Sequence, residues 1–520
     1  MRKPSLILLV LLVMAWPEKI VCAADWPQWR GPTRNGVAAS GPKLLAQLSE
    51  EQELPLVWES EEIPSDQDGG HGSVIVADGR VYVALVWHKR IPKDERVIDD
   101  KLIRSIGYRK VELAPETLAK HENDRMKLNP RLRGSKLDEW IKEWVEANLN
   151  EQEQQRYYGF FQDRFRKGKL APPLKELDRF AEHEYKEFSN EKDLEAWLAK
   201  EKFSDALVTE LLRRVSHDTL MADEVVLCLD AKTGKKVWEM REPTKPIDRR
   251  ASSTPVVADG RIHAIVGRTV RTLDAMTGKS LWSYPMKYEN GVPNSPMVME
   301  GKLIFCDDRL KALDAKTGKL TWEQEVIRGR EASVIPWRDV VLCHTSDSIQ
   351  AARAADGKFL WKVPGGGQST PVVSDDLLVL VSYKKKGVLA YALAKDAEPK
   401  QRWSISLEAK RHAASPIAHD GLLYLMGGGR HLCVSLKDGG TRWSEQVNCE
   451  LSSPILTGNR LLVLERNGGH LAMVATDSTS YQPLGKARIQ VMKAASPALA
   501  DGYIFFRKKD KVACYDLCAK

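Results

Sequence analysis

A tryptophan that returns at a fixed place in a repeating unit constrains this 520-residue chain more than any other feature. "LDAKTGKKVW" ends at Trp238, "LDAMTGKSLW" at Trp282, "LDAKTGKLTW" at Trp322, "RAADGKFLW" at Trp361, "PKQRW" at Trp403 and "LKDGGTRW" at Trp443, so the period is about 40 residues. Between the tryptophans runs a second repeated element, exemplified by "SSTPVVADGRIHAIV", "QSTPVVSDDLLVLV" and "LSSPILTGNRLLVL". Short apolar, β-branched runs with turn residues at fixed offsets are strands in hairpins. Each unit therefore supplies two strands joined by an Asp-Gly-like turn and two more joined by a Thr-Gly-Lys-like turn. A sheet of this size cannot bury both faces alone, whereas radial stacking buries each sheet against its neighbours. The fold class expected is all-β, a β-propeller with the tryptophan of the fourth strand packed between units.

Counting the units gives an eight-bladed ring. "SVIVADGRVYVALV" from Ser73 supplies two strands of the first blade, and "EVVLCLD" and "KKVWEM" resume it after residue 222. Six units follow, the last without a tryptophan around Tyr481 to Ile489, and the eighth, "SPALADGYIFF" plus "KVACYD", has three strands before Lys520. "PLVWES" has the form of a fourth strand, with Trp58 at the signature position, and is expected to close the ring by completing that sheet. "DWPQWRGPTRNG", Asp25 to Gly36, then reads as a lead-in that crosses the propeller face and docks Trp26 and Trp29.

The start of the chain carries Arg2-Lys3, an apolar run from Leu6 to Trp16 and small residues around Ala23-Ala24, which predicts a secretory signal over 1–24 and an exported mature protein, periplasmic, envelope-associated or extracellular. Residues 25–87 are expected to hold the lead-in, the closing strand and half of blade one, and 223–520 the rest of the propeller. No later segment approaches the roughly 20 apolar residues of a membrane helix. Of eight cysteines, Cys22 falls in the leader, leaving the odd set Cys228, Cys306, Cys343, Cys433, Cys449, Cys514 and Cys518, most of them in apolar runs where cysteine packs as a small hydrophobe. The net charge of +8 comes from 79 basic and 71 acidic residues interspersed along the chain, with no basic block, which argues against nucleic-acid binding. The expected state is a monomer.

The "DWPQWRGPTRNG" segment, the x-S-P-V-V-x-D-G hairpins and the "LDAxTGKxxW" turns together resemble the PQQ-like, or quinoprotein-type, β-propeller repeat family, over residues 25–87 and 223–520. That resemblance implies one of two roles: a dehydrogenase using pyrroloquinoline quinone with calcium on alcohols or sugars, or a cofactor-free binding scaffold similar to BamB. The dehydrogenases are implied to carry a disulfide between adjacent cysteines and an acidic and amide cluster around calcium; this sequence has no Cys-Cys pair, no CxxCH haem motif, and no cluster that maps residue by residue. Asp66, Asp68 and Gly69 lack the glutamate that a calcium loop needs. The expectation is a scaffold with no catalytic or metal residues and no cofactor, with the quinone enzyme as the alternative.

The loop entering each blade faces the channel mouth and supplies the candidate ligand-binding residues: His71, Arg249, Arg250, Arg330, Glu331, Gln368, Arg411, His412, Glu450 and Lys493. Cations outnumber anions, which suits a small carboxylate or phosphate, or an acidic segment of a protein partner; the alternative is a solvated set paired with Glu331 and Glu450. Residues 88–222 break the repeat with helical periodicity, placing Trp140, Trp144, Ala147 and Leu149 near one face, followed by Tyr157, Tyr158, Phe160 and Phe161. A mainly α-helical insertion is predicted there, with the aromatic cluster as its small core and a capping or partner-binding role.

Overall fold

The computed structural model describes residues 25–39, 41–65, 70–247, 252–288, 292, 294–329, 332–395, 397–407, 413–449, 451–477 and 479–519. The described residues form two compact units, one from those within 1–89 and 221–520, the other Arg90–Leu220.

The first unit is built from four-stranded antiparallel sheets, eight among the described residues. Sheet 1 orders Ile75–Ala77, Arg80–Pro92, Asp218–Asp230 and Lys236–Thr244 side by side. Sheets 2 to 7 each take four consecutive strands, beginning at Val256–Ala258, Met297–Met299, Ile335–Trp337, Val372–Ser374, Ile417–His419 and Ile455–Thr457. Sheet 8 takes Ala498–Ala500, Tyr503–Arg507 and Val512–Asp516, and its fourth strand is Leu56–Glu59, with Trp58 opposite Cys514.

Alternation along the strands sends successive side chains to opposite faces, so each sheet contributes to two apolar layers. Ile304, Cys306 and Trp322 of sheet 3 share one core with Val341, Cys343 and Ala352 of sheet 4. Phe505 and Cys514 of sheet 8 likewise share one with Val76 and Val81 of sheet 1 and with Leu462 of sheet 7.

The signature tryptophans occupy these layers: Trp58, Trp322, Trp361, Trp403 and Trp443 are buried, and Trp238 and Trp282 are half-buried. Each of several indoles donates to a carbonyl in the next sheet, Trp58 to Ala231, Trp238 to Ala275, Trp282 to Ala315, Trp322 to Ala354 and Trp403 to Leu436, at 2.8–3.2 Å. The same rings lie flat over the glycine of the Thr-Gly-Lys-type turn. A β-carbon on Gly278, Gly318 or Gly357 would sit 2.6 Å from the ring of Trp238, Trp282 or Trp322. The turn glycine is thus required both by its positive φ and by the neighbouring indole. Trp361 shares its core with Leu389, Tyr391 and Leu393 of sheet 5.

The second unit holds the α-helices Asp100–Ser105, Pro115–Lys127, Ser135–Asn148, Glu151–Lys167, Leu174–Ala181, Glu191–Glu201 and Asp205–Arg214. A capping box of Asn150 and Glu153 starts the longest of them. Trp144, Tyr157, Phe160, Phe161 and Phe165 form one core with Ile141 and Val145, while Leu102, Phe180, Leu194 and Leu207 belong to a second. Both cores are made of this unit's own residues. Among the described residues, no helix is long and apolar enough to cross a membrane.

Candidate functional site

A serine or threonine stands two residues ahead of the first strand of every sheet, and its hydroxyl accepts the backbone N–H of the equivalent residue one sheet back. The chain of bonds runs from Ser73 to Thr254, Ser295, Ser333, Thr370, Ser415, Ser453 and Ser496, and Ser496 N–H returns to Ser73 Oγ, each at 2.8–3.1 Å. All eight residues are buried. A neutral hydrogen bond of this kind contributes about 0.5–1.5 kcal/mol net, and here every member both donates and accepts in one rotational sense. The first strands therefore converge on a common axis.

The lead-in enters that axis. Trp26 exchanges backbone bonds with Val76, Pro27 accepts from Val257 N–H, and Leu456 bonds to both Gly36 and Ala38. Trp26 to Ala38 thus lie against the first strands of sheets 1, 2 and 7, and two arginines of the segment reach the starts of the first strands of sheets 3, 4 and 6. Arg34 donates from Nε to Val334 O (3.0 Å), from Nη1 to Pro296 O (2.8 Å) and Gln28 Oε1 (3.1 Å), and from Nη2 to Ser295 O (2.9 Å). Arg30 donates from Nη2 to Asn35 O at 2.8 Å and to Pro416 O. Both side chains are buried, and carbonyl dipoles rather than carboxylates surround them. Burial lowers the pKa of each to about 9, with Arg34 adding repulsion at Arg30, so both stay cationic at neutral pH. Trp26 is buried and Trp29 half-buried, with the Arg30 guanidinium 5.7 Å from the Trp29 ring centre.

The crevice left between Trp26, Trp29, Arg30, Ser73, Pro454 and Ser496 is too narrow to admit a water molecule. No group of three or more His, Cys, Asp or Glu side chains is arranged to hold a metal ion among the described residues.

Of the mouth residues read from the sequence, His71 is half-buried and Gln368 and Lys493 are exposed, each on a different loop just ahead of a cycle hydroxyl. His71 N–H is held by Ser252 Oγ at 3.0 Å. Arg249, Arg250, Arg330, Glu331, Arg411, His412 and Glu450 lie outside the described residues, as do Asp66, Asp68 and Gly69. Sequence reasoning missed Arg30, Arg34 and the hydroxyl cycle. The cycle had a signal, a hydroxyl residue at the same offset in every unit; the arginines had none, because an arginine in a Pro/Gly-rich stretch reads as solvated.

The sequence profile of a PQQ-type repeat family, described as outer membrane protein assembly factor BamB, matches residues 222–364 and 307–518. The chain belongs to this family. Its relatives divide between two kinds. The quinohemoprotein alcohol dehydrogenase ADH IIB of Pseudomonas putida is 29% identical over 169 residues, covering 29% of this chain and 23% of that protein. The outer membrane protein assembly factor BamB of Moranella endobia is 31% identical over 106 residues, 18% of this chain and 27% of the relative. The chain thus spans about a quarter of the length of these curated relatives. Among solved structures, BamB from Moraxella catarrhalis aligns over 56% of this chain and 88% of its own, with 14% identity and a TM-score of 0.46.

Proposed function

We propose that the protein is an exported, eight-bladed PQQ-type propeller that serves as a non-catalytic binding scaffold in the periplasm or cell envelope. The observation that carries this reading is the anchored lead-in: Arg30 and Arg34 tie it to backbone carbonyls at the starts of the first strands. The eightfold count and closure by Leu56–Glu59 are supported by the returning hydroxyl cycle and by the pairing of Trp58 with Cys514. In this reading the mouth loops with His71, Arg250, Arg330, Arg411, His412 and Lys493 offer cations to an acidic protein segment or small anion, and the helical insertion supplies further partner surface. The protein acts as a monomer.

A second reading, a quinone-dependent alcohol oxidoreductase, is favoured by the similarity to alcohol dehydrogenases. One experiment separates the two. Purified mature protein is mixed with pyrroloquinoline quinone and calcium, and the melting temperature and quinone absorbance after gel filtration are recorded. A ligand that binds only the folded state raises the melting temperature as its concentration exceeds its dissociation constant. The scaffold reading expects no shift and no retained absorbance; a concentration-dependent shift with retained quinone overturns it.

A further inference from the structure

Cys306 and Cys343 meet across the seam between sheets 3 and 4, with their sulfurs 3.3 Å apart and neither side chain exposed. Strand register brings them together. Ile304 and Leu342 are equivalent positions, opposite Met297 and Ile335, so Cys306 lies two residues beyond that point and Cys343 one. Side chains one residue apart along a strand point to opposite faces. Cys306 therefore looks toward sheet 4 and Cys343 back toward sheet 3, within a core shared with Ile304, Val334 and Val341.

We propose that this pair is a modification site, an intrachain disulfide that joins sheets 3 and 4. A bonded pair has an S–S distance of about 2.05 Å, so the sulfurs need to approach by little more than about 1 Å. The reaction is thiol–disulfide exchange with an external disulfide, either a small molecule or an oxidant protein. One cysteine thiolate attacks that disulfide and expels a thiol. The second cysteine then attacks the mixed disulfide and expels the other. Both cysteines lose their protons, the new S–S bond takes their place, and the two electrons leave with the external disulfide as two thiols.

The surroundings also set the timing. Only thiolates react, and in the finished seam the Cys306 thiol is held protonated by its hydrogen bond to Cys343 and by burial. Exchange therefore belongs to the stage of folding at which sheets 3 and 4 are still apart, and the closed seam then protects the bond.

The test uses the mature chain, reduced and denatured, then refolded in a buffer of reduced and oxidised glutathione. The product is alkylated in denaturant and mapped by mass spectrometry. The expected product has two fewer alkylated cysteines than the reduced control, a linked peptide pair containing Cys306 and Cys343, and a melting temperature a few degrees above the same sample after reduction. Folded, reduced protein placed in the same buffer should form the link at least about tenfold more slowly. Cys343→Ser should remove the link. If refolding yields no soluble chain, the same mapping is made on protein exported to an oxidising compartment. Full alkylation, glutathione adducts at Cys306 or Cys343, or a link between other cysteines overturns the proposal, and equal rates in folded and refolding protein overturn the timing.

Discussion

Gly260 and Gly278 make a matched pair for testing why the Thr-Gly-Lys-type turn carries glycine. Both lie in turns of sheet 2 with nearly the same backbone, φ +70° and +71°. Alanine at either position is held in the left-handed region at a cost of about 1–2 kcal/mol. At Gly260 nothing lies within 4 Å of the new β-carbon, so that is the whole expected loss. At Gly278 the β-carbon would stand 2.6 Å from Cδ2 and 2.7 Å from Cε3 of Trp238, well inside van der Waals contact. The indole cannot swing away freely, because Nε1 donates to Ala275 O at 3.1 Å in the same turn. Overpacking of this kind adds about 1–3 kcal/mol, giving about 2–5 kcal/mol for Gly278→Ala against about 1–2 kcal/mol for Gly260→Ala. Equilibrium urea denaturation followed by fluorescence measures both. A double-mutant cycle with Trp238→Leu should recover most of the difference as coupling. Equal losses for the two glycines, or no coupling to Trp238, would refute the contact as the reason for the glycine.

Arg34→Met leaves Ser295 O, Pro296 O and Val334 O without their donor while removing the cost of a buried charge; a net loss of about 2–4 kcal/mol is expected, and an unchanged melting temperature would show that the lead-in is not anchored there. Acid should destabilise the fold through buried histidines. His344 Nδ1–H donates to Ser369 O and its Nε2 accepts from Gly366 N–H, so protonation would set a donor against a donor, and burial lowers its pKa to about 4. The unfolded chain binds that proton near pH 6.5, so stability is fully present above that pH and falls as pH drops toward 4, by on the order of 3 kcal/mol. His263 and His431, each also near 4, act in the same direction. Melting curves from pH 7 to 4 should fall, with a shallower slope in His344→Gln; an identical slope would contradict this source.

What could be read from the sequence followed from repetition. The Asp-Gly and Thr-Gly-Lys turns fix strand pairing locally, and the tryptophan spacing marks the layer between sheets, so the repeating four-stranded sheets were legible in the sequence. The helical insertion was legible from periodicity, as were its aromatic residues. The site was less so. Arg30 and Arg34 are buried only because carbonyls from sheets far apart in sequence meet at one axis, and no local pattern encodes that convergence. The mouth loops vary in length and composition from unit to unit, so neither propensity nor period constrains them. The thiol pair of Cys306 and Cys343 depended on a one-residue offset in register, visible only once the strands were aligned.

The pairing of Trp58 with Cys514 also dictates an order of events. Leu56–Glu59 must wait for Val512–Asp516, which is synthesised much later. Until then sheet 8 has no outer strand, and the apolar faces it shares with sheets 7 and 1 are open to water. Such long-range pairing is slow, because loop closure over most of the chain precedes any gain from contact. Until Val512–Asp516 has been made, Leu56–Glu59 has no partner and that layer cannot be completed. Newly made chains should depend on holdase chaperones until the last strand arrives, and truncation just before Val512 should leave an arc prone to end-to-end association.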